Sequence, residues 1–488
     1  MMNAFVLIIP VVLPIIAGIL MLVRKEKFAE RGARERFVAA AVIVNAVIVL
    51  ALSFFMQGTE LCLPPLVPGQ PLLFRLDAMG GMFASLVSVL WILCIFYAFE
   101  YMTHEGGENR FFAFYTMAFG VMMGISFAGN LVTLYLFYEF LTLITLPLVI
   151  HSEDIAATTA ARIYLIFSIS GATVAMMGIA IIALVGGTTA FVPGGVMSGV
   201  AAGASALQIA YVLCFFGFGV KSAIMPFHAW LPCASVAPTP VSALLHAVAV
   251  VKAGVFAVAR VTYFSIGPEV LNGTTAQAIV LSATLVTILY GSAMALMQKH
   301  LKRRLAYSTV SQLSYILFGL ALMTPGGYLG GMMHLVGHAI VKITLFLCAG
   351  AILYKAHKEY VWELRGIGRR MPVTMGVFTI ASLALVGIPP LPGFFSKWFL
   401  TAAASGSGSN MLAFSGTAVL GVSALLTAIY LFGVCVNAFS PGGESDAGTD
   451  GGGLSDPGRY MTVPLVILAI AIVVFGVLVE PIMQITTL

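Results

Sequence analysis

Charge is what this 488-residue sequence has least of. Asp, Glu, Lys and Arg make up 9% of it, against 60% hydrophobic residues and a mean hydropathy of +1.04. A soluble domain cannot cover that much apolar surface, so a polytopic membrane protein is expected. The net charge of +5 resides in loop lysines and arginines and implies no nucleic-acid partner. Cysteine is also scarce. The six residues (Cys62, Cys94, Cys214, Cys233, Cys348, Cys435) form no C-x-x-C pair, so they read as small hydrophobes, with no iron–sulfur or zinc site expected. A nucleophile–base pair and a redox centre are missing too. GFGVKS is not a phosphate loop, because no glycine directly precedes Lys221. The chain is therefore expected to bind no cofactor or metal and to perform no bond chemistry itself. Its first apolar stretch, residues 3–23, lacks a basic n-region and an A-x-A-like cleavage site, and is expected to be a retained helix.

What is present is a succession of apolar runs. Each bilayer crossing takes about 20 such residues. That ruler predicts an all-α polytopic membrane protein of about fourteen transmembrane helices: 3–23, 37–56, 78–99, 111–128, 131–150, 162–185, 206–226, 239–263, 275–297, 305–323, 328–353, 373–400, 412–438 and 460–480. The runs are continuous rather than alternating, which argues against a barrel. Of 24 lysines and arginines, 18 fall in or beside odd-numbered loops, Arg75 and Arg260 lie near the other side, and four lysines lie within helices. The positive-inside rule then places both termini outside, on the periplasmic side. The absence of a transit peptide points to a prokaryotic plasma (inner) membrane. Residues 186–205 read as a neutral outer loop, and 440–458, rich in glycine and acidic, as a flexible linker.

A lysine at the centre of a membrane helix costs about 2.5–3.5 kcal/mol, so the ionisable residues inside these runs need a reason. Glu139 lies mid-way along the fifth predicted helix, and the expected partner is Lys221, just before Pro226 in the seventh. His246 and Lys252 follow in the eighth. His334, His338 and Lys342 recur every four residues of the eleventh, a stripe about 12 Å long on one face. In the twelfth, Pro389, Pro390 and Pro392 interrupt the helix ahead of Lys397. Two broken helices carrying lysines, five helices apart, point to two inverted five-helix repeats around a mid-membrane site. The expected organisation is an N-terminal three-helix segment (1–110), repeats over 111–263 and 275–438, and a linker with the last helix (439–488). The plainer alternatives are an inert ion pair, a polar helix–helix contact, or a metal held by the two histidines. The set is too long for one ion site, and a water-linked series of titratable groups best suits proton movement.

The segments VKSAIMPFHAWLP, APTPVSALLHAVAVVKAG, HLVGHAIVKITLFLCAG and GIPPLPGFFSKW closely resemble the antiporter-like membrane subunits of respiratory complex I, membrane-bound hydrogenases and Mrp-type cation/proton antiporters. The resemblance extends over nearly the whole chain and implies the fourteen-helix fold with inverted repeats. It also implies that Glu139 and Lys221 form a charge pair modulating pumping, that Lys252 is the central relay, and that Lys397 lies toward the exit. His246, His334, His338 and Lys342 would link two half-channels. Lysine rather than glutamate in the twelfth helix departs from one branch of complex I subunits, and no long lateral helix follows the fourteenth. The expected function is a proton-translocating subunit of a redox-driven complex, NADH:quinone oxidoreductase-like or hydrogenase-like. Quinone, flavin, iron–sulfur or nickel–iron centres are expected only in partner subunits. Expected partners are other antiporter-like and small membrane subunits, hydrophilic redox subunits, and the lipid bilayer. The alternative is an Mrp-type Na⁺/H⁺ antiporter subunit without a redox partner; a third reading, a structural spacer, would need none of these buried charges.

Overall fold

A computed structural model of the chain describes residues 4–67, 69–197, 204–407, 410–441, 455–480 and 483. Residues 198–203 of the expected outer loop and 442–454 of the expected linker lie outside the described residues. The helices are α1 (Ile9–Val23), α2 (Arg31–Phe55), α3 (Ala78–Tyr101), α4 (Glu108–Ser126), α5 (Leu131–Val149), α6 (Ile155–Gly186), α7 (Ala204–Gly219) and α8 (Trp230–Cys233). They continue as α9 (Thr239–Ala247), α10 (Val250–Arg260), α11 (Pro268–Leu271), α12 (Thr275–Met297), α13 (Leu301–Ala321), α14 (Pro325–Ala356) and α15 (Ile367–Arg370). The last are α16 (Pro372–Val386), α17 (Pro392–Gly406), α18 (Met411–Phe439) and α19 (Arg459–Val477). Among the described residues, ten helical stretches are long and apolar enough to cross a membrane, and α7 and α16 are shorter apolar helices. The chain is a multi-pass, predominantly helical integral membrane protein.

Two stretches form the centre. The span Thr239–Ile266 is buried over its whole length, and α14 over 94% of its most apolar window, whereas the other spans are 39–61% buried. A helix that is apolar on all sides is a core helix, and these two are also the ones that carry His246, Lys252, His334, His338 and Lys342. Small residues permit the close packing. A Cβ on Gly254 would stand 2.8 Å from the Phe218 carbonyl oxygen and 2.6 Å from Ser222 Oγ, so α10 lies directly against the end of α7.

Three features depart from the sequence reading. A two-stranded antiparallel hairpin, β1 (Glu60–Val67) and β2 (Gln70–Arg75), precedes α3. Pro64, Pro65 and Pro71 within it mask the strand signal, since proline cannot donate to a ladder. The expected eighth helix is not continuous: it breaks at Val248–Ala249 and ends in a π-helical turn, Val261–Ile266. Cys62, on β1, is exposed rather than buried.

Arg260, at the end of α10, is fully buried and forms a bidentate pair with Asp77 at 2.5 and 2.7 Å. Its guanidinium also lies within 4.7–5.1 Å of the rings of Phe264, Phe256 and Phe191. Asp77 in turn caps α3 by accepting from Gly80 N at 2.8 Å. Burial alone would raise the Asp77 carboxyl, but the Arg260 charge and hydrogen bonds outweigh it and hold the group below its ordinary value of 3.8. A depressed carboxylate stabilises the fold fully above its unfolded pKa and loses that contribution as pH falls through the folded value. Asp77→Asn, which leaves the buried guanidinium without a counter-charge, is expected to cost about 3–5 kcal/mol. Thermal unfolding in detergent should show a lower midpoint for the variant at neutral pH, with the gap to wild type narrowing only below about pH 4.

A buried row of ionisable side chains

Broken helices place the lysines. α7 ends at Gly219, so Lys221 lies in the break itself, earlier than Pro226 alone suggests. Trp230 Nε1 donates to the Val220 carbonyl at 2.7 Å and satisfies part of the opened backbone. The second break separates α16 from α17. Gly387, with φ +99°, ends α16, and Ile388 to Leu391 carry Pro389 and Pro390 before Pro392 opens α17. Gly393 touches the Ala384 carbonyl so closely that no Cβ fits. Lys397 reaches back to donate to the carbonyls of Leu385 and Val386 at 2.7 and 2.8 Å. Those are the orphan acceptors at the end of α16, where the helix dipole also favours a cation.

The central contact joins the two buried spans. Lys252 Nζ, on the first turn of α10, lies 2.7 Å from His338 Nδ1 on α14. His338 stacks on His334 at 5.9 Å between ring centroids, and His334 Nδ1 lies 2.9 Å from Ser396 Oγ, next to Lys397. Tyr315 lies between the two: its ring stacks on His334 at 5.4 Å, and Lys397 Nζ stands 5.5 Å from the same ring. In the other direction along α14, Lys342 Nζ donates to the Leu305 carbonyl at 3.0 Å. His246 stacks on Phe346 at 4.7 Å, and neither of its ring nitrogens has a hydrogen-bond partner among the described residues.

Glu139 and Lys221 are near enough to interact electrostatically, but no N···O contact within 4.0 Å joins them among the described residues. Lys221 Nζ instead donates to the Tyr138 carbonyl and stands 3.5 Å from the centroid of the Tyr138 ring. One oxygen of Glu139 is buried without a partner. The lysines of the row thus rest on carbonyls, an aromatic face or an imidazole, and among the described residues none of Lys221, Lys252, Lys342 and Lys397 contacts a carboxylate.

Several participants escaped the sequence reading. Lys302, assigned there to a loop, is 7% exposed and donates to the Ala237 carbonyl at 2.9 Å, within electrostatic reach of His246. Hydroxyls of the second half form a cluster: Ser292 Oγ lies 2.8 Å from Ser311 Oγ and 2.5 Å from Ser423 Oγ, and Ser308 Oγ 2.6 Å from Tyr430 Oη. Gln312 and Ser314, which the sequence sets in the tenth predicted helix where the fifth has Glu139, are buried with polar atoms unpartnered among the described residues. Among the described residues, no group of three or more His, Cys, Asp or Glu side chains is placed to hold a metal ion.

Fold and site together define a multi-pass membrane protein built around a buried series of titratable groups. The chain belongs to the family described as NADH:quinone oxidoreductase/Mrp antiporter, TM, which matches residues 128–423. It is 32% identical over 421 residues to NADH-quinone oxidoreductase subunit N of Desulforudis audaxviator, covering 84% of this chain and 82% of that one. The fold is similar to that of a chain of the membrane-bound sulfane sulfur reductase, an archaeal respiratory membrane complex, with a TM-score of 0.83, 22% identity and coverage of 99% and 96%. It is similar as well to a chain of the Mrp complex from Dietzia sp., with a TM-score of 0.82 and 25% identity, over 98% of this chain and 51% of that one.

Proposed function

We propose that this chain is a proton-translocating membrane subunit of a redox-driven complex, of the NADH:quinone oxidoreductase or membrane-hydrogenase type. The observation that carries the reading is the 2.7 Å contact between Lys252 and His338, both buried, which joins the two central spans. From that junction the row extends through His334 and Ser396 to Lys397 on one side and through Lys342 and His246 on the other. Buried polar atoms without protein partners are normally satisfied by water. Nitrogens of His246, His334 and His338, an oxygen of Glu139, and Gln312 and Ser314 are all of this kind, so the row is read as hydrated. A redox-driven event in a neighbouring subunit alters the Glu139–Lys221 arrangement, which changes the proton affinity of Lys252 and sends a proton toward Lys397.

The architecture proposed with it is fourteen crossings, with inverted five-helix units over 111–263 and 275–438. The breaks after α7 and between α16 and α17 support that pairing. Both termini face the periplasmic side of a prokaryotic plasma membrane, and redox cofactors reside in partner subunits. The likeness to the Mrp complex favours one second reading, a cation/proton exchanger subunit driven by an existing gradient. Extraction of the tagged protein in mild detergent, followed by mass spectrometry of its stoichiometric companions, separates the two. Subunits carrying flavin, iron–sulfur or nickel–iron centres are expected. Only small hydrophobic chains and further antiporter-like chains would overturn the redox-driven reading.

A further inference from the structure

Both histidines of α14 are engaged through the same ring nitrogen. Lys252 Nζ lies 2.7 Å from Nδ1 of His338, and Ser396 Oγ lies 2.9 Å from Nδ1 of His334. The Nε2 atoms of the two rings are buried and have no partner among the described residues. An imidazole that takes up a proton on one nitrogen hands it on from the other. A proton accepted at Nδ1 of His338 therefore leaves from Nε2, and a proton leaving Nδ1 of His334 has entered at Nε2. The step between the rings runs from one unpartnered nitrogen to the other.

The register of α13 on α14 decides what faces those nitrogens. Gln312 stands midway between Leu305 and Gly319, seven residues from each, which is about two turns and returns to the same helical face. The Leu305 carbonyl accepts from Lys342 Nζ at 3.0 Å, and a Cβ on Gly319 would stand 2.6 Å from the Gly327 carbonyl oxygen. Both ends of that stripe lie against α14, and so does its midpoint. On α14, Gly327, Gly331, His334, His338 and Lys342 recur at steps of three and four residues and share one face. A Cβ on Gly331 would stand 3.2 Å from the Ile316 carbonyl oxygen, so the glycines and Lys342 all meet α13. The two histidines between them face it as well, level with Gln312. Gln312 is fully buried, and neither its amide oxygen nor its amide nitrogen has a partner among the described residues. Thr309, one turn earlier, has its hydroxyl committed to the Leu305 carbonyl at 2.9 Å.

We propose that Gln312 is a positioning residue that holds water between Nε2 of His338 and Nε2 of His334; the inference rests on the proton-translocating reading. A primary amide suits the task, because it accepts through its oxygen and donates through its nitrogen. Lys252 gives a proton to Nδ1 of His338, and the imidazolium releases its Nε2 proton to the water. The water gives one of its own to Nε2 of His334, and that ring releases its Nδ1 proton to Ser396 on the way to a neutral Lys397. Both rings finish neutral in the opposite tautomer, the water is unchanged, and one proton has moved from one lysine to the other.

Two substitutions separate a holder of water from a packing residue. Gln312→Leu keeps the bulk and removes the polar atoms, whereas Gln312→Ala removes them and leaves room for water. In sealed vesicles holding the purified complex, Gln312→Leu is expected to lower proton translocation by about 10-fold or more. Gln312→Ala should move protons faster than Gln312→Leu. Thermal midpoints in detergent should run the other way, with the alanine variant below the leucine variant. Translocation in which alanine does not exceed leucine would overturn the proposal. Lys252→Met in the same vesicles keeps the two readings apart. Unchanged translocation in Lys252→Met would overturn the proton row itself, whereas loss there with wild-type rates in Gln312→Leu would overturn the role of Gln312 alone.

Discussion

Replacing Lys252 by methionine is expected to reduce proton translocation by about 10²-fold while the protein still folds and assembles. A positioned proton donor or acceptor contributes about 10²–10⁴-fold to a transfer, and Lys252 has one polar contact to work through, His338 Nδ1 at 2.7 Å. Without it, both nitrogens of His338 are unpartnered, because Nε2 already is. Methionine, one heavy atom shorter, keeps most of the apolar stem and removes a charge that is costly to bury, so stability in detergent should not fall. Lys252→Arg sharpens the test. Guanidinium keeps the charge but does not release a proton at accessible pH. A relay predicts that the arginine variant is as inactive as the methionine variant. Retained translocation in Lys252→Arg would mean that the row needs a fixed charge there and not a proton carrier. Initial rates of pH change in sealed vesicles, normalised to the amount of chain present, check both variants.

The second large effect is expected at Glu139 and Lys221. Glu139→Gln or Lys221→Ala should each sharply lower pumping while leaving the complex assembled. The geometry gives a route by which two residues without a direct ion pair would act together. Lys221 is seated on the Tyr138 carbonyl and ring, one residue from Glu139, whose nearby oxygen has no partner. A small movement of α5 against the break after α7 would therefore change how strongly the two charges interact. Residues that work as a unit are non-additive, so the double variant should depart from the sum of the singles by about 1 kcal/mol or more. Wild-type pumping in both single variants would sink this part of the account.

Much of this was legible in the sequence, for physical reasons that can be traced. Long apolar runs mark spans because the bilayer admits little else, and a lysine within one is conspicuous. Prolines and glycines at 387–393 announce the break that Lys397 caps. The break at Val248–Ala249 gives no such sign, because no proline or glycine accompanies it. It lies where the chain passes from α9, packed on α14, to α10, packed on α7. Lys302 was hidden by its neighbours: in the run Lys302-Arg303-Arg304 a sequence reader sees a solvated loop. The structure begins α13 at Leu301, buries Lys302 on the Ala237 carbonyl, half-buries Arg304 against the carbonyls of Gln298 and Tyr430, and leaves Arg303 exposed. The hydroxyl cluster of Ser292, Ser311 and Ser423 joins residues 131 positions apart at its widest, and no local pattern could reveal it. The hairpin was masked by its own prolines.

The most direct test of the central claim is the interior pH of liposomes holding the purified chain with its co-purifying partners, followed with a trapped dye while the redox partners turn over. The account predicts a pH change that needs turnover, collapses with a protonophore, and is absent with Lys252→Met although electron transfer continues. Full electron transfer with no pH change in the wild-type complex, and a pH change only when a Na⁺ gradient is imposed, would contradict it.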